Sequence, residues 1–158
     1  MIWDGCALEG QSGHEGAWAL LARLYRQQTG EALPEIRRTD RGKPCFVSSP
    51  WHFSLTHTKH HAFCVLSRCP VGIDAEELDR RADLRLADRV LSPGEKAQFD
   101  RAEDKKKALL TFWVLKEAQV KCTGEGLQGY PNQTDFSLED PRVRLREGCL
   151  VAIIEEKD

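Results

Sequence analysis

The strongest constraint in the chain is the stretch from about Asp104 to Lys121. There Leu109, Leu110, Phe112, Trp113, Leu115, Ala118 and Val120 recur as a wide apolar stripe at helical spacing, and Gly124 stands where such a helix would stop. A helix this apolar on one side needs a surface to cover. Two β-type runs, Trp51–Leu55 and Ala62–Ser67, are joined through Thr56-His57-Thr58-Lys59-His60, and Val71–Glu76 reads as a short strand after Cys69-Pro70. Three further strands are predicted in the tail, at Asp135–Leu138, Arg142–Arg146 and Cys149–Ile154, the last two joined by a turn at Glu147-Gly148.

An amphipathic helix is predicted over Glu15–Gln28 from the spacing of Trp18, Leu20, Leu21, Leu24 and Tyr25, with Gly30 as its stop. Residues 31–50 contain Pro34, Gly42, Pro44 and Pro50 and read as loops and short strands, with Arg37, Arg38, Arg41 and Lys43 clustered there. The segment 77–92 is charged and helix-prone. Ser92-Pro93-Gly94-Glu95 then supplies a capping serine, a proline at the first helical position and a glutamate three residues on, which marks a helix start. The order helix, strands, strand, helices, strands implies an α+β fold rather than regular βαβ alternation. Pro70 divides the chain into two comparable sub-lobes of one domain, about 1–70 and 71–158.

Composition narrows the function classes. Of 158 residues 41% are hydrophobic and 30% charged, enough to bury a core beneath a mixed-charge surface. The 23 Lys and Arg nearly balance 25 Asp and Glu, for a net charge of −2, so no bulk positive field favours nucleic acid as a partner. No window approaches the roughly 20 apolar residues of a membrane span, and the N-terminus lacks a basic segment followed by an apolar one, so a cytoplasmic protein is expected. The six cysteines form no CxxC pair, which fits reduced thiols in a core. Asn132-Gln133-Thr134 matches a glycosylation sequon and, without secretion, is read as chance.

Four groups of residues carry chemistry. Asp74 and Glu76 alternate on a short strand in Gly72-Ile73-Asp74-Ala75-Glu76, so their carboxylates share a face and suit a hard cation such as magnesium; salt-bridge partners at a strand end are the plainer reading. Glu117 and Lys121 lie four apart on one face of the strongest helix. They are an ordinary helix ion pair or, alternatively, a third carboxylate and a phosphate-neutralising lysine. Phe53-Ser54-Leu55-Thr56-His57-Thr58 runs from a strand into a polar turn able to hold an anion. His52, His57, His60 and His61 also suggest zinc, although H-x-x-H-H on a β turn with no matching cysteine pair is a weak pattern for it. Gly42-Lys43-Pro44 with the neighbouring arginines is a basic loop or a phosphate clamp, and neither a Walker loop nor a G-x-G-x-x-G is present.

Taken in order, Gly42-Lys43-Pro44, Phe53–Thr58, Val71–Glu76 and Phe112–Ala118 with Lys121 resemble the 4′-phosphopantetheinyl transferases, in the surfactin-type, single-chain branch. The resemblance spans about residues 37–127, including Arg89-Val90-Leu91-Ser92 and Gly124-Glu125-Gly126-Leu127. Members of that branch are longer. The resemblance implies two similar α+β lobes packed as a pseudo-dimer within one monomeric chain, with coenzyme A between them. It also implies transfer of the phosphopantetheine arm of coenzyme A to a serine of an acyl or peptidyl carrier protein, with release of 3′,5′-ADP.

On this basis Asp74, Glu76 and Glu117 would hold Mg2+, with Mn2+ as an alternative, and Glu117 would be the general base. Lys121 would stabilise the pyrophosphate. Lys43, Arg38, Thr56 and His57 would lie near the adenosine end of coenzyme A, with His57 on the 3′-phosphate. Lys116, one residue from Glu117, points elsewhere on the helix and has a supporting role. Arg80, Arg81, Arg85 and Arg89 are candidates for a rim that meets an acidic carrier protein. The alternatives are a catalytically idle coenzyme A or carrier-protein binding module of the same fold, and a small metal-dependent hydrolase acting on the same pyrophosphate.

Overall fold

A computed structural model describes residues 1–125 and 134–157. Gly126, Leu127, Asn132 and Gln133 therefore lie outside the described residues. The elements run β1 (Ile2–Ala7), α1 (Gly13–Thr29), β2 (Ile36–Arg38), β3 (Pro44–Phe46), β4 (His52–His57), β5 (His61–Ser67), β6 (Val71–Glu77), a 3-10 turn at Leu84–Leu86, α2 (Ala87–Val90), α3 (Pro93–Arg101), α4 (Lys105–Thr123), β7 (Val143–Arg146) and β8 (Cys149–Glu155). The fold is α+β.

Two antiparallel three-stranded sheets are stacked face to face, in the orders β1-β5-β4 and β6-β8-β7, and β2 pairs with β3 as a separate ribbon. Strand alternation assigns the layers. On β5, Cys64 and Leu66 join Leu20, Leu21, Leu24 and Tyr25 of α1, while Phe63 and Val65 point the other way and meet Val71, Ile73 and Ala75 of β6 and Cys149, Val151 and Ile153 of β8. The opposite side of the second sheet, at Leu150, Ala152 and Ile154, is covered by α4. The order of layers is helix, sheet, sheet, helix.

Local chemistry explains most boundaries. Ser12 caps α1 by accepting from Glu15 N, and Gly30 ends it in the left-handed conformation. Ser92 and Glu95 form the expected capping box. Asp104 caps α4 by accepting from Lys107 N, and Gly124 terminates it. Glu147 and Gly148 both adopt positive φ, as a tight β7–β8 hairpin requires.

Two expectations are corrected, and one element is new. The chain begins with a strand, β1, which sequence alternation does not announce because Asp4-Gly5 interrupts it. Gly5 sits opposite Phe63, whose ring fills the space a side chain would take, 2.4 Å from an added Cβ. Residues 135–138 form no strand. Phe136 N donates to Glu95 Oε2 at 2.9 Å, and Leu138 N donates to Gln98 Oε1 at 3.1 Å, so α3 side chains satisfy that backbone in place of a sheet neighbour. The helix-prone segment 77–92 yields only the 3-10 turn and the single turn α2.

Candidate active site

The site begins with the contact between α4 and β6. A Cβ at Gly72 would fall 1.9 Å from Ala118 O and 2.5 Å from Cys122 N, so only glycine lets the helix backbone come this close to the strand. Because Ile73 and Ala75 face the interior between the sheets, Asp74 and Glu76 are out of phase with them and face α4. The close approach therefore sets Glu117 and Lys121 over the two strand acids.

Lys121 ties three elements together. Its Nζ donates to Asp74 Oδ1 at 3.1 Å, Ile73 O at 3.1 Å and Leu55 O at 3.3 Å. Thr56 Oγ1 donates to the same Asp74 oxygen at 3.2 Å, and Ser54 Oγ accepts from Ile73 N at 3.1 Å. The outer edge of β6 is thus closed by polar side chains of β4, which joins the two halves of the chain at the site.

Asp74 is 7% exposed. Burial raises its pKa to about 6; Lys121 opposes the shift by charge and hydrogen bond, while the negative charges of Glu76 and Glu117 add to it. Among the described residues, Asp74 Oδ2 is the buried side-chain oxygen without a hydrogen-bond partner. An orphaned carboxylate oxygen in a group repelled by two further acids is the arrangement a hard divalent cation relieves, and an all-oxygen donor set suits magnesium. Glu76 is partly engaged already, since Arg80 Nη1 donates to its Oε2 at 2.7 Å.

The basic residues line two adjoining cavities. One, of about 260 Å3, is bordered by Arg41, Lys43, Leu55 and Lys121. The other, of about 170 Å3, is bordered by Trp18, Arg38, Thr56 and His57, and both share Pro44 and Leu55. Lys43 Nζ donates to Cys122 O at 2.9 Å, so the lysine caps the carbonyl end of α4, and burial holds its pKa below the usual lysine value. Arg41 Nη1 donates to Glu125 O at 2.6 Å, and Arg38 Nη1 to Gly42 O at 2.9 Å. His57 is exposed and lies against the start of α1, where a Cβ at Gly13 would fall 2.2 Å from its Nδ1.

Of the residues singled out from sequence, the structure joins Asp74, Thr56 and Lys121 by direct contact. It sets Glu76 and Glu117 beside them, and puts Lys43, Arg38 and His57 on the cavities. Lys116 stands apart. Its Nζ lies 2.7 Å from Glu95 Oε1 with both side chains fully buried, and Glu95 also accepts from Ser92 N and Phe136 N. It anchors α3 and the 136 segment to α4. Sequence reasoning names Arg41 only within the basic cluster and Ser54 only within the Phe53–Thr58 run, and it misses the packing role of Gly72, although a glycine inside an otherwise apolar strand signals a close backbone approach.

Comparison with known proteins identifies relatives. The chain is 30% identical over 117 residues to the 4′-phosphopantetheinyl transferase gsp of Aneurinibacillus migulanus, a match covering 68% of this chain and 47% of that protein. It is 34% identical over 109 residues to the 4′-phosphopantetheinyl transferase psf-1 of Bacillus pumilus, covering 66% and 46% respectively. The chain spans about half the length of the curated relatives it matches. Among solved structures, the Thermotoga maritima holo-[acyl-carrier-protein] synthase superposes with a TM-score of 0.46 at 23% identity, over 54% of this chain and 61% of that one. The sequence profile of the 4′-phosphopantetheinyl transferase superfamily matches residues 70–149, which hold both strand acids, the packing glycine beside them and the whole of α4. The chain therefore belongs to the 4′-phosphopantetheinyl transferase superfamily, in its surfactin-type branch.

Proposed function

We propose that the protein transfers the phosphopantetheine arm of coenzyme A to a serine of an apo acyl or peptidyl carrier protein and releases 3′,5′-ADP. The observation that carries this reading is the buried, half-satisfied Asp74 carboxylate, held by Lys121 and Thr56 beside Glu76 and Glu117. Asp74, Glu76 and Glu117 would hold magnesium, which when bound neutralises the pyrophosphate and polarises the phosphorus under attack.

In this reading the carrier serine oxygen forms a bond to the phosphorus that bears the pantetheine arm, and the bond from that phosphorus to the ADP oxygen breaks. Glu117, which also faces the strand acids, accepts the serine proton. Lys121 keeps a fixed positive charge at the leaving oxygen, and its contacts with Leu55 O and Ile73 O stop it from swinging away. His57 and Arg38, on the cavity beside the first turn of α1, would take the 3′-phosphate, where the helix start adds favourable dipole. Lys43 would border the adenosine end.

The two halves meeting at Pro70 would act as the lobes of one monomeric pseudo-dimer, each giving one wall of the cleft. An acidic carrier protein would dock at the rim bearing Arg80, Arg81, Arg85 and Arg89. Among the described residues no helix is long and apolar enough to cross a membrane, and the six cysteines are unpaired. Thiols in that state agree with work in the cytoplasm, where coenzyme A and carrier proteins occur together.

The test is intact-mass spectrometry of apo carrier proteins incubated with the protein, coenzyme A and Mg2+. A phosphopantetheine-sized gain that disappears with Asp74→Ala and with EDTA supports the transferase. Coenzyme A binding without mass gain on any carrier rejects it in favour of an idle binding module, and cleavage of coenzyme A without a carrier rejects it in favour of a hydrolase.

A further inference from the structure

A second set of metal-type donors lies on the other face of β6. Glu77 and Cys149 are cross-strand partners of β6 and β8, and both point between the sheets toward His61, the first residue of β5. His61 Nδ1 is 3.6 Å from Glu77 Oε1 and 3.8 Å from Cys149 Sγ, and the three donor atoms lie within 4.8 Å of one another. Donors about 2.0–2.3 Å from a tetrahedral cation stand roughly 3.3–3.7 Å apart, so the two distances from His61 Nδ1 are close to those a bound ion imposes.

The surroundings orient each donor. His61 Nε2, the ring nitrogen turned away from the other two donors, lies 3.3 Å from Glu147 Oε2, the carboxylate–histidine pairing that fixes a metal-ligating imidazole. Glu77 Oε1 accepts from Thr58 Oγ1 at 2.8 Å and from His60 N at 2.9 Å, and His60 Nδ1 lies 3.0 and 3.1 Å from the two carboxylate oxygens, which fixes the direction of the group; a bound ion would take its oxygen in competition with His60. A cavity of about 280 Å3, bordered by His60, His61, Glu77, Asp79 and Glu147, reaches His61 and Glu77 from solvent and gives an ion a way in, with Cys149 buried behind them. Glu77 takes no part in the catalytic arrangement, because it and Glu76 project from opposite faces of the strand.

We propose that His61, Glu77 and Cys149 bind one borderline divalent transition-metal ion of the zinc type, with water in the fourth position and Glu147 holding His61 from behind. A mixed nitrogen, oxygen and sulfur set selects zinc or cobalt over magnesium, which avoids thiolate. Binding displaces the Cys149 thiol proton to solvent and forms the metal–sulfur bond. Since His61 belongs to the first sheet and Glu77 and Cys149 to the second, the ion pins the two halves of the fold together at the end of their shared core.

The test is titration of the full chain with Co2+ in the presence of excess Mg2+, which would fill the proposed carboxylate site. The expected result is one equivalent bound with a thiolate-to-cobalt charge-transfer band and intense tetrahedral visible bands, together with a rise in Tm when Zn2+ replaces Co2+. Cys149→Ala abolishes the band, and Glu147→Gln, a half-exposed position that leaves the core intact, weakens binding about tenfold. Cys69→Ala, a thiol elsewhere, leaves the band unchanged. Absence of a charge-transfer band at one equivalent, or a band that persists in Cys149→Ala or is indifferent to Glu147→Gln, overturns the proposal. None of these readouts depends on phosphopantetheine transfer, so the two readings fail separately.

Discussion

The two halves of the molecule share one plan, a three-stranded antiparallel sheet with a long helix across its outer face, yet the helices meet their strands differently. α1 rests on β4 and β5 through large apolar side chains, Leu20, Leu21 and Leu24 against Phe53, Cys64 and Leu66. α4 comes down onto the backbone of β6 at Gly72, and buries a charged pair, Lys116 with Glu95, on its other side. A helix held off by bulky side chains leaves no room for polar chemistry beneath it. A helix brought close at one glycine aims its next turns at the neighbouring strand acids, so in the proposed reaction the second half would hold the reacting groups, while residues of the first half line most of the cavities beside them.

The largest expected difference concerns the buried ion pair, for which the first half has no fully buried counterpart among the described residues. Lys116→Met leaves Glu95 charged and unpaired in the core, and should lower stability by about 3–5 kcal/mol. Urea unfolding reads it, and the double change with Glu95→Gln should restore part of the loss. Next is Gly72→Ala. Its Cβ meets backbone on both sides, so the cost falls at the upper end of overpacking penalties, about 3 kcal/mol, and should come with loss of transfer because Glu117 and Lys121 move with the helix.

Asp74 gives a pH-dependent effect of similar size. Its folded pKa of about 6 lies above the ordinary aspartate value of 3.8, so the folded state holds this proton more tightly than the unfolded chain. The stabilising contribution is complete below pH 3.8 and is lost as pH rises through about 6. In the metal-free protein Asp74→Asn should therefore be equal to the parent near pH 4 and more stable by roughly 3 kcal/mol at pH 7, a gap that Mg2+ narrows. Denaturant midpoints across that range in EDTA, then in Mg2+, check it.

Smaller effects belong to the first half. His57→Ala should raise KM for coenzyme A roughly tenfold while leaving kcat in place, the pattern of a binding contact made equally in ground and transition states. Gly16→Ala, where the added Cβ meets mainly the tip of Leu8 on the α1 side, should change stability by less than about 1 kcal/mol, since helix propensity offsets the contact. A penalty there as large as that at Gly72 would erase the contrast between the two helices.

Much of this was legible in sequence, where local chemistry and tertiary packing agree. The Ser92 capping box, the Gly124 stop and the alternation of Asp74 with Glu76 each depend on neighbours a few residues away. β1 was not legible, because Gly5 is completed by the ring of Phe63 some sixty residues on. The predicted strand at 135–138 failed for the opposite reason, since its backbone donors are taken by Glu95 and Gln98 of α3. Thr56 was marked in sequence as part of a coenzyme-binding turn. Its hydrogen bond to Asp74 requires knowing that β4 closes the open edge of β6, a contact between the halves that no local pattern encodes.

The division of labour between the halves is tested most directly by single-turnover transfer at saturating coenzyme A and Mg2+, comparing Glu117→Gln with His57→Ala. Glu117→Gln should stay at least about a hundredfold slower than the parent, while His57→Ala should recover the parent rate constant once coenzyme A is saturating. A Glu117→Gln protein as fast as the parent, or a His57→Ala defect that saturation leaves in place, would contradict it.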